Sequence, residues 1–184
     1  DVNKGPLERA ALHIAESGMK EAIETRLSDG LTALKPGEAD SVVIAGMGGP
    51  LIIRILSAHP EITESLKELI LQPQSEISEV RIWLYEQGYE ILEEHMVFED
   101  GKYYPMFKAV KNPEAEKLTN LEYKYGKISV LGEPEVLRAY LVREIANKQN
   151  ILQKLNEETT EKSKGRAVEI KALLAELEEM LSEM

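Results

Sequence analysis

Cysteine is absent from the 184 residues, which excludes a disulfide scaffold, a thiolate-bound zinc or iron–sulfur centre, and thiol catalysis. It also fits a reducing compartment, so a cytoplasmic location is expected. Histidine is scarce: His13, His59 and His95 are scattered along the chain and read as structural or surface residues, so no metal site is expected. Aromatics make up 5%, with one tryptophan. Long hydrophobic runs are missing as well. The longest uncharged one, Ser41 to Ile53, is about 13 residues and is broken by Gly46, Gly48, Gly49 and Pro50, too short to span a bilayer. No signal-peptide pattern is read and no membrane association is expected. Positive charge is in deficit, 22 Lys and Arg against 33 Asp and Glu, net −11. That argues against coating nucleic acid through bulk charge.

What is present falls into two halves with different periods. Leu7, Ala10, Ala11, Ile14 and Ala15 carry the three-and-four spacing of an amphipathic helix, with Pro6 in its first turn and Gly18 after its end. Ala22 to Leu27 is a strand candidate and Ser28-Asp29-Gly30 a turn. Asp40 to Ala45 is a β-branched run ending at Gly46-Met47-Gly48-Gly49, after which Leu51 to Leu56 is helical. Leu66 to Leu71 is a short apolar strand ending at Gln72-Pro73. Glu76 to Gln87 is a helix presenting Ile77, Val80, Trp83 and Leu84, closed by Gly88. Tyr89 to Val97 and Tyr103 to Val110 flank Asp100-Gly101, a hairpin signal. Strands separated by helices predict an α/β fold with a parallel sheet, and the terminal hairpin an antiparallel edge.

After Asn112-Pro113 the character changes. Leu141, Ile145, Lys148, Leu152 and Leu155, then Ile170, Leu174, Leu177, Leu181 and Met184, repeat at heptad spacing, predicting two helices joined near Thr159 to Gly165 as an antiparallel coiled-coil hairpin. The expected division is therefore 1–112 and 113–184.

Glycines at the C-terminal end of a buried parallel strand let a backbone approach a ligand, which makes Gly46 to Gly49 the first candidate site. As a dinucleotide fingerprint the motif is poor, because its third glycine is missing and the next strand ends in Gln72 with no acidic residue for a ribose. Asp1, with Val2 and Asn3, could offer a carboxylate to ribose hydroxyls, and Asp29 could accept from an adenine amine. Gln72 offers an amide at the same rim. Trp83 reads as core, and Tyr103 or Tyr104 as an outward strand residue able to stack a base.

Asp1-Val2-Asn3-Lys4-Gly5-Pro6-Leu7, Ser28-Asp29-Gly30-Leu31, Ile44-Ala45-Gly46-Met47-Gly48-Gly49, Leu71-Gln72-Pro73-Gln74 and the stretch from Trp83 to Tyr104 resemble the TrmK family of bacterial tRNA adenine methyltransferases. The resemblance implies a Rossmann-like class I methyltransferase sheet followed by a coiled-coil domain. It further implies S-adenosylmethionine as cofactor, tRNA as partner, and methylation of N1 of the adenosine at tRNA position 22. Family members carry a first strand and a loop of the form G-S-D-H-A before the segment that begins here at Asp1, so the sheet is expected to be N-terminally incomplete. A preceding segment of roughly 20 to 40 residues is expected in the natural protein, the size of a βα unit.

Carried over residue by residue, the resemblance implies that Asp1, Val2 and Asn3 meet the cofactor ribose. Asp29, Gly30 and Leu31 would line the adenine pocket. Gly46, Met47, Gly48 and Gly49 would border the methionine moiety and the target base, and Gln72 would touch the incoming adenine. The reaction is an in-line displacement by a neutral ring nitrogen, so orientation rather than a nucleophilic side chain carries it, and the target base must leave its stack. Acidity is concentrated in 1–112, at −8, against −3 in 113–184. Between 117 and 154 seven cations outnumber four glutamates, so Lys117, Lys124, Lys127 and Arg138 are candidate phosphate contacts. Two other readings stay open: a methyltransferase of another substrate class, and a non-enzymatic Rossmann-like binding module whose helices mediate assembly.

Overall fold

A computed structural model describes residues 1–157 and 160–184. Helix α1 (Lys4–Glu16) is followed by β1 (Ser41–Met47), α2 (Gly49–Ser57), the one-turn α3 (Pro60–Thr63), β2 (Glu68–Pro73) and α4 (Ile77–Glu86). The hairpin β3 (Tyr89–Glu99) and β4 (Lys102–Lys111) comes next, then α5 (Asn120–Tyr125), a 3₁₀ turn at Ile128–Val130, α6 (Pro134–Glu157) and α7 (Glu161–Ser182). The sheet order is β1-β2-β4-β3. β1 and β2 run parallel, while β4 is antiparallel to both β2 and β3. The parallel pair and the antiparallel hairpin are as the sequence pattern predicts. Asp100 and Gly101 both take positive φ, 48° and 79°, the left-handed pair that a two-residue hairpin turn requires.

Two apolar clusters hold the chain together. In the first, Ile44, Leu69, Leu71, Phe107 and Ala109 on one sheet face meet Ile52 and Leu56 of α2 and Val80 and Leu84 of α4. Trp83 packs at its margin, stacked on Tyr89 at 6.4 Å. In the second cluster Met96 of β3 meets Leu137 and Leu141 of α6 and Leu177 and Met180 of α7, with Tyr103 and Tyr140 packed against it. Ile170, Leu174 and Leu177 are buried along α7, following the predicted spacing.

Two expectations are corrected and one element is added. Ala22 to Leu27 forms no strand, because strand structure requires a paired neighbour. The segment is tied instead to the chain start, where the Asp1 amine donates to the Arg26 carbonyl at 3.3 Å and Ser28 N–H donates to the Asp1 carbonyl at 2.9 Å. Gly165 lies inside α7 rather than in the connection between the two helices; Thr159, the other end of that predicted connection, lies outside the described residues. The unpredicted α5 begins at a capping box in which Thr119 and Glu122 satisfy each other's backbone N–H groups.

A buried ion pair joins the two clusters. Arg81 of α4 bonds the Glu94 carboxylate of β3, and each side chain is 1% exposed. The guanidinium also donates to the carbonyls of Tyr123 and Lys124 at 3.0 and 3.1 Å, at the end of α5. Gly126 follows with φ 100°, and a Cβ there would lie 2.8 Å from the Glu94 carboxyl atoms. Burial pushes the Glu94 pKa above the usual carboxylate range, opposed by Arg81.

Arg81→Met should lower stability by about 3–5 kcal/mol, since it strands a buried carboxylate and two helix-end carbonyls. Urea denaturation would show this, and Arg81→Met with Glu94→Gln should recover part of the loss. The pH dependence has a defined sign. With its folded pKa raised, Glu94 takes up a proton on folding only between its unfolded and folded pKa values and is the ionised partner of Arg81 above them, so this contribution is full below the unfolded pKa and is lost as pH rises through the folded one. Glu94→Gln should flatten that decline in denaturation midpoints measured across pH.

Candidate functional site

The parallel pair brings the C-terminal ends of β1 and β2 to one rim of the sheet. At Gly46, φ 76°, the ladder shifts register, so that Ala45 opposes Gln72 and Met47 opposes Pro73. This is a bulge, and its extra residue loses its ladder partner. Gln72 supplies a replacement: its Oε1 accepts the Gly46 N–H at 2.7 Å. The Gln72 Nε2 is buried and has no hydrogen-bond partner among the described residues. Gln72 therefore holds the shape of the turn with one end of its amide and leaves a buried donor at the other.

The glycines that follow serve the packing of the turn. A Cβ on Gly49 would meet the Ser75 and Glu76 carbonyl oxygens at 2.6 and 2.9 Å. Gly49 itself donates its N–H to the Ser75 carbonyl at 3.0 Å, at the start of α2. A Cβ on Gly48 would lie 3.1 Å from Ser75 Oγ. Glycine at 49 is thus required by the backbone of the 75–76 turn, while Gly48 packs against the Ser75 side chain of the same turn.

A cleft of about 410 Å³ opens along β1 and this rim. Asp1 and Val2, the loop Ser28 to Leu31, Met47 of the glycine turn, and Leu51 and Arg54 of α2 line it. Asp1, Val2, Asp29, Gly30, Leu31 and Met47 are thus brought together as the sequence reading expects. Asn3, Gly46, Gly48, Gly49 and Gln72 sit beside the cleft rather than in its lining, Asn3 as the N-cap of α1. Leu31 is buried and forms an apolar wall. Gly30 has φ 56°, and a Cβ there would come 2.9 Å from Ile55, so glycine lets the loop press onto α2.

Without a strand beneath it, the loop is held by Arg26. This guanidinium pairs with Glu24 at 2.9 Å and Glu38 at 2.5 Å and donates to the Ala33 carbonyl at 3.0 Å. Hydrogen bonds from Arg26 lower the pKa of both glutamates. Asp29 faces Arg54 at 3.5 Å with both side chains more than 60% exposed, a pair loose enough to exchange for a ligand. Arg54 was missed from sequence; its signal was the spacing of Leu51, Arg54 and Ile55 on one face of the helix after the glycine turn.

The four predicted phosphate contacts do not line the cleft. Lys117 and Arg138 are exposed and Lys127 half-buried, while Lys124 is engaged with Glu176 at 2.6 Å. They belong to the segment around α5 and α6, which packs on the β3 side of the sheet. That is three strand spacings, about 14 Å, from β1. His95 bonds Glu133 at 2.9 Å, and His59 lies beside Glu61 and Thr32. Among the described residues no group of three or more His, Cys, Asp or Glu is placed to hold a metal.

Over residues 1–179 the chain matches the family TrmK, described as tRNA (adenine(22)-N(1))-methyltransferase. A Bacillus subtilis protein of that name is 39% identical over 109 residues, covering 59% of this chain and 46% of the relative. The match thus spans about half the relative's length. The crystal structure of the B. subtilis m1A22 tRNA methyltransferase superposes with a TM-score of 0.81 at 30% identity, covering 98% of this chain and 80% of that one. A Streptococcus pneumoniae protein in complex with S-adenosyl-L-methionine superposes with a TM-score of 0.80 at 27% identity, covering 98% and 78%.

If Gly49 serves packing, Gly49→Ala should destabilise the fold by about 1–3 kcal/mol through overpacking. This outweighs the ~1 kcal/mol of helix propensity that alanine gains. A thermal melt of the purified variant checks it.

Proposed function

Because the chain belongs to the tRNA (adenine(22)-N(1))-methyltransferase family, we propose that it serves as an S-adenosylmethionine-dependent enzyme methylating N1 of the adenosine at position 22 of tRNA. The observation that carries this reading is the convergence of Asp1, Asp29 to Leu31 and Met47, from three separate segments, on one cleft at the strand rim. Ligands of open α/β sheets bind at such rims. The residues present suit the adenosyl half of the cofactor, with two carboxylates for hydroxyl and amine donors and the buried Leu31 as an apolar wall. When bound, the cofactor would supply an electrophilic methyl group on a sulfonium.

The chain's own work is binding and orientation. Asp1 and Asp29 accept hydrogen bonds, Arg54 yields Asp29 to the incoming amine, and Leu31 supports the purine plane. Gln72 holds the Gly46 bulge and so fixes where Met47 meets the cleft. Adenine N1 has an in-plane lone pair and needs no base, so alignment supplies the acceleration. Gly46, Met47, Gly48 and Gln72 form the side of the rim nearest the target base. We assign 1–112 to this catalytic unit and 113–184 to tRNA binding, with Lys117, Lys127 and Arg138 on phosphates. Lys124, paired with Glu176, contributes less than the sequence suggested. The protein is placed in the cytoplasm, where tRNA is its partner.

Incubation with unmodified tRNA and methyl-labelled cofactor should label the tRNA, with the modified nucleotide mapping to adenosine 22; label in protein or small molecules, or none, overturns the reading. Asp29→Ala should weaken cofactor binding by calorimetry roughly ten- to a hundredfold, the worth of a charged hydrogen bond. Lys117→Glu with Lys127→Glu should weaken tRNA binding and reduce the slope of log affinity against log salt by about one per lost contact.

A further inference from the structure

The β3–β4 hairpin extends beyond the sheet at the rim that carries the candidate site. β4 pairs with β2 from Val110 opposite Glu68 to Phe107 opposite Leu71. The remaining N-terminal half of β4 continues past the end of β2, paired only with β3 through Met96, Val97, Phe98 and Glu99. About four residues of overhang place the turn about 13 Å beyond the rim, and three strand spacings separate it laterally from β1. The hairpin tip is then about 20 Å from the cleft, on the same end of the molecule.

The tip is rigid. Phe98 and Tyr103 pair across the strands with ring centres 4.6 Å apart, and Tyr103 meets Tyr140 of α6 edge-on at 5.1 Å. Arg143 of α6 lies 4.7 Å over the Tyr103 ring and 5.9 Å from Phe98, and its guanidinium donates to the Gly101 carbonyl at 2.8 Å. Below them Met96 anchors the hairpin in the second apolar cluster. Yet Phe98 is 53% exposed and Val97 and Val142 are also solvent-facing. A phenylalanine fixed on one side by an aromatic ring and a guanidinium, with its remainder turned to water, stabilises little in the chain alone. The carboxylates Glu99 and Asp100 offset Lys102 and Arg143 in sign, so the tip offers a stacking surface rather than a field.

We propose that Phe98, backed by Tyr103 and Arg143, is a platform on which an unpaired base of the RNA substrate stacks while a different, non-adjacent nucleotide of the same RNA occupies the rim. This rests on the RNA-methylating function proposed above and names a contact for it. Base stacking on aromatic side chains is tolerant of sequence and neutralises no phosphate, so it adds nothing to the salt slope, which suits a surface of balanced charge. A protein partner would instead have to cover the same tip without nucleic acid.

The test measures binding of unmodified tRNA to the full chain and its variants by fluorescence anisotropy over a salt series, with cofactor affinity measured in parallel. Phe98→Ala, a surface change, should weaken tRNA binding about 5- to 150-fold, the ~1–3 kcal/mol of one stacked base at 1.4 kcal/mol per tenfold. It should leave both the salt slope and cofactor affinity unchanged, and Phe98→Trp should retain or tighten binding. If Phe98→Ala binds tRNA like the unsubstituted chain while Lys117→Glu with Lys127→Glu weakens it, the platform is refuted and the RNA function stands. If the unsubstituted chain binds no tRNA, both fall.

Discussion

The buried Arg81–Glu94 pair determines how the two halves of the chain meet. An isolated charge in an apolar interior is expensive, and a paired one is tolerated only when its remaining hydrogen-bonding groups are also satisfied. This pair meets the condition only in part: Arg81 also donates to the carbonyls of Tyr123 and Lys124, end-of-helix acceptors with no partner inside α5, while Arg81 Nε and Glu94 Oε2 are buried without a hydrogen-bond partner among the described residues. Glu94 contributes its backbone as well, accepting the Gly132 N–H at 2.8 Å. The segment between α5 and α6 is therefore pinned to β3 at both ends. An apolar pair in the same place would permit several packings of this segment, whereas a guanidinium fork with three acceptors permits few. The pair's role is to fix the route of the chain more than to add net stability.

That route has consequences for the site. Once the segment leaves Glu94 at Gly132, α6 starts alongside β3 and its side chains Leu137, Tyr140 and Leu141 reach the projecting hairpin. A free two-stranded hairpin of this length would be marginal in water. Packed on α6 and α7 through Met96 and Tyr103 it becomes a stiff extension of the sheet. The cleft on β1 and the stacked aromatics at the hairpin tip are consequently held by one continuous sheet, with the register of four strands setting their separation.

Much of the sheet was legible in the sequence. The β-branched run before Gly46, the three-and-four spacing in α4 and the Asp100-Gly101 turn are local signals, and each element formed where its signal lay. Ala22 to Leu27 failed because a strand is a property of two segments, and its apolar pattern says nothing about whether a neighbour exists. The cap Thr119 to Glu122 was a readable signature, passed over because α5 is too short to show a period. A glycine motif states that a close approach occurs and not what approaches: Gly49 is closely approached by the backbone of the 75–76 turn. The Arg81–Glu94 pair, the Gln72 bond to Gly46 and the Arg143 contact with Gly101 join residues on different elements. No single-segment pattern could have revealed them.

The charge distribution raises a question that the structure narrows. A chain of net −11 cannot bind RNA mainly through a broad positive field, and ion pairing reduces the local cation excess further: Lys124 is neutralised by Glu176 and Lys148 by Glu144. For the proposed RNA substrate, counterion release would come from few contacts, and the salt dependence it produces would be shallow. On the RNA-methylating function proposed above, the rest of the affinity would come from interactions that do not scale with charge. Aromatic stacking is of that kind, and so is insertion of an extruded base into a pocket. The packed hairpin keeps an aromatic ring exposed on the same end of the molecule as the strand rim proposed to receive the target base, about 20 Å away. An acidic surface elsewhere discourages the nonspecific binding that a basic protein would suffer.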